Sequence, residues 1–297
     1  MAERSRKAAR AAAERRKKKE RTFRDGAGRV HLALHRDAAN GREWVTLKKQ
    51  VFDEAWQNEI TEGAANTTLG VLDHEPSVAR VVELTRGIMR STSTLIANLL
   101  ARAPEGSVAC RAGCDHCCYQ VVGVTPAEAI AIFEHLRTTL SPPEVERVTA
   151  HLAKRFEETR GLTSSERFSP DQPCPFLEVA TGSCTIYEVR PLSCRGMNSL
   201  DAGECATRLR DPEARAAFLG GAQTGHSYLE PIRAFRAVSA GLQLGLAELY
   251  RLDTRALDLV AALHLLLQGG PAVAEAWMNG QREAFERALG GVSKDTV

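Results

Sequence analysis

No stretch of this chain approaches ~18 uninterrupted apolar residues, so a membrane-spanning helix is not expected. Its first residues also lack the apolar run of an export signal, which gives a cytoplasmic expectation. Aromatic residues are only 5% of the total, so packing by aliphatic and alanine-rich helices is expected over an aromatic-rich β sandwich. There is no repeat of fixed period. No G-x-G-x-x-G, P-loop, H-E-x-x-H or G-x-S-x-G pattern occurs, so none of those familiar enzyme sites is indicated. Absence of a motif does not exclude an S-adenosylmethionine pocket, because such sites vary in sequence.

What is present is ordinary for a soluble globular protein, with 43% hydrophobic and 26% charged residues in 297. The net charge of +2 is unevenly placed. Residues 1–30 carry 12 Lys/Arg against 4 Asp/Glu, a local +8, which leaves −6 on the remainder. Such a segment buries too little apolar surface to offset its ordering entropy, so 1–30 is expected to be a disordered basic arm. It could contact an acidic partner or nucleic acid, or act as a solubilising tail. Residues 31–75 are mixed, with Trp44, Val45, Leu47, Val51, Phe52 and Trp56 as apolar anchors, and read as a loosely attached segment with a short helix near 48–60.

From Ser77 onward the periodicity is helical. Val78, Val81, Val82, Thr85, Ile88, Met89, Leu95, Ile96, Leu99 and Leu100 form one face of a long helix ending before Pro104. Thr125-Pro126-Ala127-Glu128 and Ser141-Pro142-Pro143-Glu144 read as capping boxes opening two further helices. Leucine-rich stripes predict helices over 232–250 and 257–267, and a last helix spans 274–289. The fold class is therefore mainly α. A helical domain over 76–290 carries a loop-rich, cysteine-rich insert, with one short β-hairpin around Gly182-Ser183.

The eight cysteines all lie between residues 110 and 205. Cys110, Cys114, Cys117 and Cys118 form C-x3-C-x2-C-C, and Cys174, Cys184, Cys194 and Cys205 follow at intervals of ten, ten and eleven. Disulfides suit small secreted domains without a core, and adjacent Cys117-Cys118 would make a poor bridge to each other. Metal ligation fits better, since thiolates hold zinc or iron–sulfur clusters. The metal-binding segments are then 106–124 and 170–206. A vicinal pair favours either a multinuclear site or one thiol held back from the metal. Arg111, Arg190 and Arg195 can offset thiolate charge. His116 is an additional candidate ligand, although a loop histidine bonded to backbone or solvent is the simpler reading. Asp115 reads more simply as a solvated loop carboxylate.

Cys110-x3-Cys114-x2-Cys117-Cys118, Cys174-Pro175-Phe176-Leu177 and Cys184-Thr185-Ile186-Tyr187-Glu188-x-Arg190-Pro191-x-x-Cys194-Arg195 together resemble the CxxCxxCC cysteine-cluster family. The resemblance covers about residues 106–205. It implies zinc or iron chelation by Cys110, Cys114, Cys117, Cys118, Cys174, Cys184 and Cys194, with Cys205 outside the insisted pattern. Some members are similar to flagellin lysine N-methylase. Around the ligands, Tyr187 is expected to pack or donate its hydroxyl, Glu188 and Arg190 to pair, and Arg195 to offset charge.

Three function classes follow. The first is a metal-binding protein chelating zinc or iron, including as an iron–sulfur cluster. The second is a metal-dependent enzyme, such as a protein lysine N-methyltransferase or an iron–sulfur redox protein, with no catalytic residue identifiable. The third is a nucleic-acid-associated protein using the arm, which the −6 body and few aromatics disfavour.

Overall fold

The structure is a computed structural model that describes residues 31–73, 75–219 and 225–289. The basic arm at 1–30 lies outside the described residues. The fold is mainly α. A hairpin of β1 (Leu32–Arg36) and β2 (Glu43–Leu47) leads into α1 (Ala55–Leu72) and α2 (Val78–Leu100). The first cysteine loop ends at β3 (Gly123–Val124), followed by α3 (Pro126–Thr139), α4 (Pro142–Thr159) and the short α5 (Ser164–Arg167). The second cysteine segment holds β4 (Leu177–Glu178), β5 (Ser183–Cys184), α6 (Leu192–Gly196) and α7 (Ala202–Arg210). Then come α8 (Pro212–Leu219), α9 (Leu229–Leu244), β6 (Leu257–Asp258), α10 (Leu259–Gly269) and α11 (Pro271–Met278). Among the described residues no single helix is long and apolar enough to cross a membrane.

The capping boxes form as read. The Thr125 side chain accepts from Glu128 N, and the Glu128 carboxylate accepts from Thr125 N at 2.9 Å. Ser141 N donates likewise to Glu144, at 2.8 Å. The expected last helix at 274–289 is instead two pieces, α11 and a 3-10 turn over Arg282–Ala288. They part at Gly280, whose φ of 79° no helix accommodates.

The segment 31–75 is not loosely attached. Leu32 and Val45 are fully buried against Ala65 of α1. Asn66 of α1 binds both the N–H and the carbonyl of Val45 at 2.8 Å. Glu248, wholly buried on the π turn that continues α9, accepts from Leu32 N at 2.8 Å. Helix α1 runs well past the expected 48–60 and lies along α9. Thr61 Oγ1 donates to Ala237 O at 3.1 Å, and Gln57 Nε2 to Arg233 O at 3.2 Å. The seam escaped the periodicity reading because, Leu72 apart, the buried residues of α1 are Gln57, Thr61, Ala64, Ala65 and Thr68, small or polar rather than aliphatic. Two expected anchors, Trp44 and Val51, are exposed, and Trp44 stacks on His35 instead.

Gly241 makes the seam possible. A Cβ there would collide with Thr61 O and stand 2.6 Å from the Ala64 Cβ. Gly241→Ala should destabilise by about 1–3 kcal/mol, because both helix backbones must move apart. Exposed Gly63, with nothing within 4 Å of its missing Cβ, is the control. Gly63→Ala should stabilise by about 0.5–1 kcal/mol in urea unfolding.

His264 on α10 is buried and stacked on Phe156 of α4 at 4.6 Å, and its Nδ1 has no hydrogen-bond partner among the described residues. Burial pushes its pKa below the ordinary value. The unfolded chain therefore binds the proton first, and the associated stability is lost as pH falls below about 6.5. His264→Phe should shrink the loss of unfolding free energy between about pH 7.5 and about pH 5, relative to wild type.

Candidate metal centre

Two backbones separated by more than fifty residues meet at the cysteines. In the first, Gly113 at φ 81° turns the chain so that Cys114 N reaches Arg111 O at 3.0 Å. A 3-10 turn over His116–Tyr119 then presents Cys117 and Cys118. In the second, β4 and β5 pair antiparallel with Leu177 opposite Cys184, which is the expected hairpin. Tyr187 falls after it, in a 3-10 turn over Tyr187–Val189, and α6 carries Cys194.

The two segments are joined directly. Cys174 N donates to Cys118 O at 2.7 Å, and Ala109 N donates to Ser199 O at 2.8 Å. Ser199 N in turn donates to Cys110 Sγ at 3.2 Å. The hairpin tip at Gly182 has φ 66°, and a Cβ there would collide with the Gly113 carbonyl. Glu128 adds a buried link, its Oε1 accepting from Leu192 N at 2.8 Å.

All eight cysteines are free thiols. Their mutual electrostatics sort them into two overlapping sets. Cys110 is raised by burial, and further by Cys114, Cys117 and Cys205. Cys194 is pushed up to about 12, first by burial and then by Cys117 and Cys184. Cys174, likewise pushed to about 12 by burial, neighbours Cys194 and Cys184. Cys117 is raised well above its ordinary value, chiefly by its hydrogen bond with the Cys118 thiol. Cys117 thus belongs to both sets. Cys205, the least certain by spacing, stands with Cys110. Among the described residues no three His, Cys, Asp or Glu side chains have converged into a geometry that could hold a metal ion.

Cations surround the thiols. Arg190 lowers the pKa of Cys117, Cys184 and Cys194, and its buried Nε has no hydrogen-bond partner among the described residues. Arg195 is buried, donating from Nε to Arg190 O at 3.0 Å and from Nη2 to Glu188 O at 2.7 Å, with Ser93 Oγ on Nη1. Desolvation, then the charge of Arg190, pulls its pKa down to about 10. Arg111 is exposed. The expected Glu188–Arg190 pair does not form; Arg190 lies over the Tyr187 ring at 4.2 Å. His116 Nδ1 lies 3.6 Å from Asp115, whose carboxylate accepts from Tyr119 OH at 3.4 Å. The structure therefore gives His116 a carboxylate neighbour within its own loop.

Residues 109–211 match the family model CxxCxxCC, described as a "Putative zinc- or iron-chelating domain". Over this third of the chain the protein is similar to the CxxCxxCC family. The match covers both cysteine groups and Cys205, and it ends just after α7. The search of curated proteins and the search of solved structures each returned no match. The donor set fits the family's metals, since soft thiolates suit both zinc and iron–sulfur centres, and buried guanidiniums favour a thiolate-rich site.

Gly182→Ala should hold the hairpin tip away from the Gly113 turn. We expect faster amide exchange over 109–119 and 176–186, with the helical core over 234–246 unchanged.

Proposed function

We propose that this protein binds zinc or iron through its CxxCxxCC domain, with the metal clamping the 106–124 and 170–206 segments together. The observation that carries this reading is the meeting of the two cysteine segments, hydrogen-bonded from Cys118 O to Cys174 N and from Cys110 Sγ to Ser199 N. Cys110, Cys114, Cys117, Cys118, Cys174, Cys184 and Cys194 are the proposed ligands, and the electrostatic influence of Cys205 on Cys110 adds it to the set. Arg190 and Arg195 offset their charge. A bound metal supplies a cross-link between segments that the cores of α2, α3 and α9 hold in register. Thiols of this kind persist in the reducing cytoplasm, which is where the reading places the protein.

Thiols must lose protons to ligate, and burial holds Cys174 and Cys194 neutral at neutral pH. Metal uptake should therefore release protons, and apparent affinity should strengthen from about pH 6 to about pH 8. Metal content after anaerobic purification tests the assignment. Cys114→Ser, Cys194→Ser and Cys205→Ser should each lose at least about half of the bound metal while retaining helical circular dichroism. Full metal content in Cys194→Ser would show that the two segments do not share a centre.

A further inference from the structure

A cleft beside the cysteine centre has polar lining groups that, Cys174 apart, the metal reading does not use. It lies between α4, the start of the second cysteine segment and the start of α10. Its polar lining includes Arg155, Thr159, Arg167, Gln172 and Asp258, and Cys174 lines it too. The cleft has about 20 Å³ of interior volume within about 380 Å³ of empty space that reaches open solvent. One water-sized group needs roughly 10–15 Å³ on this measure, so the interior admits one or two such groups.

Two buried polar atoms in this lining have no hydrogen-bond partner among the described residues: the donor Nε of Arg155 and the acceptor Oε1 of Gln172. Arg155 is only 8% exposed. Its Nη1 is committed to Glu158 at 2.9 Å, which leaves the Nε edge of the guanidinium without an acceptor. Arg167 is different, because its Nη1 is satisfied by Asp258 at 2.8 Å, and Asp258 is held as the cap of α10 through Ala261 N at 2.9 Å. Both cations of the lining are thus paired, Arg167 with Asp258 and Arg155 with Glu158, and what is left over is a donor, the Nε–H of Arg155. An unmet buried donor is costly, so a ligand that meets it gains in affinity.

We propose that this cleft binds a small carboxylate, gripped by the Nε edge of Arg155, with an adjacent N–H or O–H of the same ligand donating to Gln172 Oε1. A planar carboxylate matches a guanidinium edge through two parallel hydrogen bonds. Its two oxygens also match the interior volume, with the rest of the ligand in the part that opens to solvent, whereas tetrahedral phosphate sets its remaining oxygens out of the plane of the guanidinium edge. The gripping groups, Arg155 and Gln172, are not among the proposed metal ligands, although Cys174 lines the same cleft.

The test uses the full chain and three probes at constant ionic strength: N-acetylglycine, which carries an N–H beside its carboxylate, acetate, which does not, and inorganic phosphate. Titration calorimetry and ligand-observed NMR should show saturable binding of N-acetylglycine, weaker binding of acetate and weaker binding still of phosphate. Arg155→Lys, which keeps the charge but loses the edge, should weaken carboxylate binding by about tenfold or more. Arg137→Gln, on the exposed face of α3, should not change it. Gln172→Leu should reduce N-acetylglycine to the affinity of acetate, and it decides the matter if Arg155→Lys does not fold. No saturable carboxylate binding, unchanged binding in folded Arg155→Lys, a persistent N-acetylglycine advantage in Gln172→Leu, or phosphate binding tighter than either carboxylate would each overturn the proposal.

Discussion

The Glu128 carboxylate is the joint on which the cysteine centre depends. It is fully buried, and burial raises its pKa against the pull of its hydrogen bonds and of Arg195. One oxygen closes the capping box with Thr125 at the end of the first cysteine loop. The other takes Leu192 N, in the first turn of the helix that carries Cys194. A single side chain thus fixes the exit of one cysteine segment to the entry of the other. Replacing it with an apolar residue would strand Leu192 N and Thr125 N in the interior, where each unmet donor is costly.

Around that joint, the scaffold is arranged for close approach. Gly196, at the end of the Cys194 helix, lies against the Phe235 ring of α9, where a Cβ would collide with it. Gly182 lies against Gly113 at the other end. Helix α9 is itself held by the Gly241 seam with α1, so the N-terminal segment supports the element on which the Cys194 helix rests. Packing of small residues, rather than large apolar contacts alone, brings the thiols near one another. Arg195 then ties the 188–190 turn to α2 through Ser93, which keeps Arg190 near three of the thiols.

Much of this was legible in the sequence, for physical reasons that also mark where legibility ended. The long helix after Ser77, the two proline-led capping boxes and the hairpin at Gly182 have local signals, namely 3.6-residue periodicity, N-cap chemistry and a glycine turn. The cysteine pattern marked the site because clustered thiols have few other uses. The hairpin at 32–47 and helix α1 were not read correctly, because their burial depends on side chains distant in sequence. Asn66 and Glu248 satisfy the strands, and a Thr/Ala face meets Gly241 of α9 and Gly245 of the π turn that continues it. Glu128 was read only as a cap, since nothing local indicates that its second oxygen reaches Leu192. Cys205 looked peripheral by spacing, yet its charge acts on Cys110, and Ser199 folds the intervening chain back onto the first loop. The cleft at Arg155 left no motif at all, since its residues come from both cysteine segments, α4, α5 and the junction of β6 with α10.

The most direct test of the account is a thiol-protection footprint of the full chain, isolated anaerobically and alkylated with and without prior metal chelation. If one metal centre joins the two segments, chelation will expose cysteines of both peptides together, Cys110 to Cys118 and Cys174 to Cys205, with matching rates. Exposure confined to one of the two peptides would contradict a shared centre.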